Sequence, residues 1–241
     1  MERLEIVQTE VVACRRCPRL VAYRERVAGE KVRRYRDEEY WGKPVPGFGD
    51  PHARLLLVGL APAAHGGNRT GRIFTGDRSG DFLYRALCRA GFANQSSSRH
   101  RDDGLALRDC YITAAVRCAP PGNKPSPSEL ATCRLYLVEE IRLLRRIRVV
   151  VALGRIAFDA FLKAWKDDRR AVPALRPAFA HGGMTQLPGG VFLLASYHPS
   201  QQNTQTGRLT SAMFQRIFTH ARRLLAGPPP DQSRESTHSK V

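Results

Sequence analysis

No apolar run in the 241 residues approaches the ~18 positions that a membrane-spanning helix requires, so an integral membrane protein is not expected. The opening Met1-Glu2-Arg3-Leu4-Glu5 is acidic and lacks the basic-then-apolar order of a secretory signal, so a cytoplasmic, nucleoid-associated protein is expected. Internal repeats are missing as well. Lysine is scarce: of 39 basic residues six are Lys and 33 are Arg. Acid is short too, and 22 Asp and Glu leave a formal charge of +17. Hydrophobic residues are not lacking. At 42% they exclude a chain disordered throughout, and one domain spanning 1–226 is expected, with a disordered tail over 227–241.

Arginine presents a planar fork that meets phosphate oxygens two at a time, so this excess favours a polyanionic partner. GC-rich coding sequence is the competing explanation, because it raises Arg without any binding role. Six cysteines in a chain without an export signal should not be read as disulfides. Cys14 and Cys17 form a C-x2-C pair, whose spacing lets both thiolates face one ion. Cys118, in an irregular segment, and Cys133, at a helix start, can complete a four-thiolate site for zinc or an iron–sulfur cluster. A redox or unliganded Cys14–Cys17 pair is the alternative. Cys88 and Cys110 read as core.

Four short apolar runs, 54–60, 110–116, 149–154 and 191–197, read as strands covered on both faces. Helical patterns follow at 81–90, 128–144, 155–165 and 211–225. This alternation predicts a three-layer α/β/α sandwich around a four-stranded, mostly parallel sheet, with ligands beyond the carboxyl ends of the strands. Residues 94–103 read as a flexible connection and 166–188 as an irregular excursion.

The loops at those strand ends carry the candidate chemistry. After the first strand comes Gly59-Leu-Ala-Pro-Ala-Ala-His-Gly-Gly-Asn-Arg-Thr-Gly-Arg72, then Phe74-Thr-Gly-Asp77. It is glycine-rich, but Arg72 and Ile73 stand where a Walker A loop needs Lys and Ser/Thr. It therefore shapes a pocket, with Phe74 as a stacking surface and Asp77 as an ionisable group. Read singly, Phe74 could equally be core and Asp77 a helix N-cap. Asn123 follows the second strand, and His198-Pro-Ser-Gln-Gln-Asn-Thr204 follows the fourth.

Taken together these loops resemble the uracil-DNA glycosylase superfamily, nearest to its family 5 (type B) branch with an iron–sulfur cluster. The likeness runs from Cys14 to Leu225 and includes Gly207-Arg-Leu-Thr210. It implies a 4Fe–4S cluster on Cys14, Cys17, Cys118 and Cys133. It also implies a monofunctional DNA glycosylase that flips a base from double-stranded DNA and hydrolyses its N-glycosidic bond. His198 would then donate to the departing base and Phe74 would stack on it. Gly59, Ala61 and Ala63 would border the base. Arg69, Arg72, Ser200, Gln201, Gln202, Asn203 and Arg208 would contact DNA.

Two departures from the strict members of that superfamily matter. Leu60 and Ala61 replace their polar residue in the first motif, which leaves Asp77, assisted by Asn123, to orient water. Ala114 stands where strict members read uracil with Asn, so a broad range including hypoxanthine is expected. A monomer is expected. A nucleic-acid-binding module without catalysis is the alternative, and it has no use for His198 and Asp77 at a pocket mouth. A covalent uracil-trapping relative is disfavoured, because the stretch after the first motif lacks that group's basic insertion ending in His.

Overall fold

The computed structural model describes residues 3–168 and 177–227. Two helices, α1 (Arg3–Ala13) and α2 (Pro18–Glu30), precede a short strand β1 (Phe48–Gly49) and the first buried strand β2 (Leu55–Gly59). Then follow α3 (Gly67–Thr70), α4 (Arg78–Arg89), β3 (Cys110–Ala114), α5 (Pro127–Leu143), β4 (Val149–Leu153) and α6 (Arg155–Asp167). The chain closes with β5 (Met184–Gln186), β6 (Phe192–Ser196), α7 (Gln201–Gln205) and α8 (Ser211–Ala226).

The sheet order is β1-β3-β2-β4-β6-β5. The four central strands are parallel and coincide with the four apolar runs. Two antiparallel edge strands bring the sheet to six, where four were expected. Both edges escape a hydrophobicity reading for a physical reason. β1 has two residues, and β5 alternates between exposed and half-buried positions inside the expected irregular excursion, as an edge facing water does. Of the tail expected over 227–241, residues 228–241 lie outside the described residues.

Alternation along each strand builds two cores. Leu55, Leu57, Ile112 and Val151 face one layer, which holds Leu83, Leu87, Phe214 and Phe218 of α4 and α8. Leu56, Val58, Val150 and Leu193 face the other, which holds Leu137, Ile141, Phe158 and Phe161 of α5 and α6. This is the expected α/β/α sandwich. Register pairs Gly59 with Ala114, and Leu153 with Ser196, so the strands end together along one edge. The connections leave β2 and β4 in opposite directions across the sheet, which opens a crevice at their carboxyl ends. The elements α5 and α8 begin on proper caps: Ser126 and Glu129 form a capping box, and Thr210 accepts from the Met213 amide.

Candidate active site

Asp77 sits where the first motif meets α4, and it is the N-cap of that helix. Its Oδ1 accepts the Gly80 amide at 2.9 Å as the N-cap of α4. Its Oδ2 lies against Gly66, so close that a Cβ there would come within 2.1 Å of it. Gly66 is therefore what lets the carboxyl reach the loop. Burial pushes the Asp77 carboxyl up, against the amides of Gly80 and Ser79, which favour its charged form. Asp77, Asn123, Ala63 and Gln201 line one cleft of about 1130 Å³. Asn123 is exposed there in a left-handed conformation, φ 56°.

His198 follows β6 directly, and burial pulls its imidazole down to about 4, so the ring is neutral at neutral pH. Among the described residues its ring nitrogens have no hydrogen-bond partner. The loop that carries it is braced: the Asn203 amide donates to the His198 carbonyl at 2.9 Å, and Ser200 caps α7. The Phe74 ring stands 5.8 Å from the His198 ring, centroid to centroid. Phe74 is also buried, with φ 52°, and neither ring borders the large cleft. Gly59 explains the position of Phe74, since a Cβ at residue 59 would come within 2.8 Å of the ring. Ala114, the register partner of Gly59, is buried and offers no polar group.

A family model described as the uracil DNA glycosylase superfamily matches residues 46–222. The chain belongs to that superfamily. It is 56% identical over 224 residues to the type-5 uracil-DNA glycosylase of Thermus thermophilus, covering 93% of this chain and 99% of the relative. It is 53% identical over 220 residues to the type-5 enzyme of Mycobacterium leprae, covering 90% and 94%. A type-4 uracil-DNA glycosylase of Thermotoga maritima is 28% identical over 200 residues, covering 83% and 82%.

As a glycosylase-superfamily site, this one departs from several sequence expectations. Arg72 cannot contact DNA as expected: it is 4% exposed and donates to Asp103 at 2.7 and 2.8 Å and to Ser98 at 3.0 Å. Arg69 is likewise committed. It pairs with Glu38, donates to the Gly76 and His65 carbonyls, and stacks 3.9 Å over Tyr35. Both arginines shape the loop from within. Ala61 packs against the cysteine-rich core rather than the cleft. Residues 94–103, expected to be flexible, form a fastened wall: the Gly76 amide donates to the Ser98 carbonyl, and Asp103 accepts from Arg72 and from the Arg99 and Leu105 amides. Side-chain hydrogen bonding of this kind is invisible in composition.

Gln201, Gln202 and Arg208 are exposed as expected, with the Arg208 guanidinium 4.7 Å from the Tyr197 ring centroid. Sequence reading missed Arg34, Arg78, Arg85, Arg99 and His65, which line the cleft. Apart from Arg78 and Arg85, which share α4, they sit on different elements, and proximity in space joins them.

The four cysteines singled out in the sequence come together from the α1–α2 turn, the segment after β3, and α5. They line one small cavity with Leu20, Val21 and Tyr136, and none is in a disulfide. Burial pushes the Cys118 thiol up to about 12 and Cys133 to about 11. Among the described residues, no three His, Cys, Asp or Glu side chains stand close enough to hold a single metal ion. Cys88 and Cys110 pack in the core beside α4 and α8, as expected. No helix among the described residues is long and apolar enough to cross a membrane.

Proposed function

We propose that this chain is a monofunctional DNA glycosylase that removes uracil, and other deaminated bases including hypoxanthine, from double-stranded DNA by base flipping. The observation that carries this reading is the meeting of Asp77 and Asn123 in one arginine-lined cleft, beside strand ends that lack a polar base-reading side chain. Breaking the N-glycosidic bond leaves positive character on the sugar and negative charge on the departing base. The neutral His198 imidazole keeps one ring N–H, which suits donation to the base oxygen where that charge gathers. Asp77 holds its cap with one oxygen and has the other to orient water toward the sugar carbon. Proton transfer to that carboxylate or to bulk water completes the hydrolysis and leaves an abasic site. Flipping costs a few kcal/mol and costs least at a mispaired base, which directs the enzyme to deaminated positions.

Ala114 supports the broad range. An amide there would leave buried polar atoms unpaired against a wrong base, and Ala imposes no such penalty. Exposed arginines at the cleft mouth suit phosphates on both sides of the flipped nucleotide.

The four-cysteine cavity fits a structural 4Fe–4S cluster by its chemistry. The donor set is all thiol and the walls are apolar. Such a cluster would pin α1 and α2 to β3 and α5 and take no part in the hydrolysis. The deciding experiment incubates purified protein with duplexes containing uracil, hypoxanthine, xanthine or hydroxymethyluracil, followed by alkali and gel analysis. Strand breaks at uracil and at least one other base are expected. Activity confined to uracil at high enzyme concentration overturns the broad range. Iron and sulfide near four per chain are expected in the same preparation, and zinc in their place would overturn the cluster.

A further inference from the structure

His65 belongs to the first motif but has no part in the reading above. Its Nδ1 lies 3.0 Å from the hydroxyl of Tyr40, and the two rings meet edge to face, 6.1 Å between centroids. Tyr40 is 8% exposed, so a hydroxyl proton without an acceptor would be costly there. Tyr40 therefore donates to Nδ1, which places the ring proton on Nε2. Among the described residues Nε2 has no hydrogen-bond partner, and the residue lines the cleft. The main chain of His65 is held as well. Its carbonyl accepts Arg69 Nε at 2.9 Å, and Arg69 is tied to Glu38 and Tyr35 of the segment that carries Tyr40. Burial and the Arg69 guanidinium both oppose protonation. The result is a neutral, oriented N–H donor adjoining the Gly66 on which Asp77 rests.

We propose that His65, held as the Nε2–H tautomer by Tyr40, is a substrate-binding residue that donates to a phosphodiester oxygen next to the flipped nucleotide. This rests on the glycosylase reading. A sugar held at Asp77 carries a phosphate on each side, and a donor beside Gly66 meets that backbone rather than the base. The cleft favours an anion at this place. Arg34, Arg78, Arg85 and Arg99 line it, against the carboxyls of Asp77, Asp81 and the already paired Glu38. The Tyr40 pairing distinguishes this contact from the arginine contacts, because a neutral donor fixes position without releasing a counterion.

The test measures binding to a duplex carrying 2′-fluorinated deoxyuridine, which resists hydrolysis, across a salt series, together with steady-state excision of uracil. His65→Ala is expected to weaken binding about tenfold, with the loss in KM rather than kcat. The slope of affinity against salt should stay unchanged, whereas loss of a charged phosphate contact reduces it by about one. His65→Gln, whose amide reaches the Nε2 position, should restore binding, and His65→Asn should not. Tyr40→Phe should weaken binding about threefold on its own and not at all in a His65→Ala background. Unchanged affinity in His65→Ala, a loss in kcat alone, or a reduced salt slope would each overturn the proposal. A parent protein that neither binds nor cleaves the uracil duplex overturns the glycosylase reading instead.

Discussion

The cleft after β2 and the cysteine cavity after β3 grow from neighbouring strand ends, for Gly59 and Ala114 are register partners, yet they treat charge in opposite ways. Around Cys118 and Cys133 the ionisable groups are shut in. Burial opposes the charged form of Cys118 and Cys133, and Arg117, 2% exposed, is bound to a fully buried Glu140 that also accepts from Thr113 at 2.5 Å. On the other side burial falls on single groups, on Asp77 in the cleft and on His198 after β6, while Arg78 and Arg85 in the cleft are left without an ion-pair partner among the described residues. The first arrangement is stable only when complete. The second holds a few groups away from their ordinary protonation so that a substrate can complete them.

The largest effect should come from breaking the closed side. Glu140→Gln leaves Arg117 buried without a counter-charge and should cost about 3–5 kcal/mol of stability, read by denaturant melts. A melt indistinguishable from the parent would mean that water reaches this pair and that the two regions are less different than they look. Next comes the open side. Asp77→Asn keeps a good N-cap but removes the carboxylate, so excision should fall roughly 10²–10³-fold while the melt stays within a few tenths of a kcal/mol. A parallel loss of stability would make Asp77 a cap and nothing more.

The pH profile sharpens the contrast further. With His198 pulled down to about 4, excision should stay flat through pH 6–8, because the ring changes its charge only near 4. The sign for stability follows. The unfolded chain takes up this proton near 6.5 and the folded chain does not until about 4, so this group destabilises the fold as pH falls through that window. An acid limb near 6.5 that His198→Ala abolishes would show a water-exposed ring. The smallest effect is electrostatic: Arg78→Ala should weaken DNA binding a few-fold for every sequence and lower the salt slope by about one. No change in slope would place the DNA elsewhere on the surface.

Much of this was legible in the sequence, and unevenly so. The parallel strands were readable because each is a short run buried on both faces. The edges β1 and β5 were not, because an edge needs no apolar signature. Asp77, Asn123 and His198 stood out because they follow parallel strand ends, and Cys14 and Cys17 because of their spacing. The arginines were misread. Arg72, in the motif and assigned to DNA, is buried away from the cleft, whereas Arg69 lines the cleft already paired, together with Arg34, Arg78, Arg85 and Arg99 from outside the motif. An arginine's use depends on whether a carboxylate reaches it first. Asp103 takes Arg72 from 31 positions away, and Glu38 takes Arg69 from the other side of the motif.

By itself, then, the sequence determined the layered fold, the strand ends that bear the chemistry, the thiol set and the sign of the surface, because these depend on residue type and local period. Tertiary structure alone decided which cations remain free, that the 94–103 segment is a wall, and that His65 and Tyr40 meet across 25 positions. Those outcomes rest on pairwise hydrogen bonds and burial between distant segments, and no local pattern carries that information.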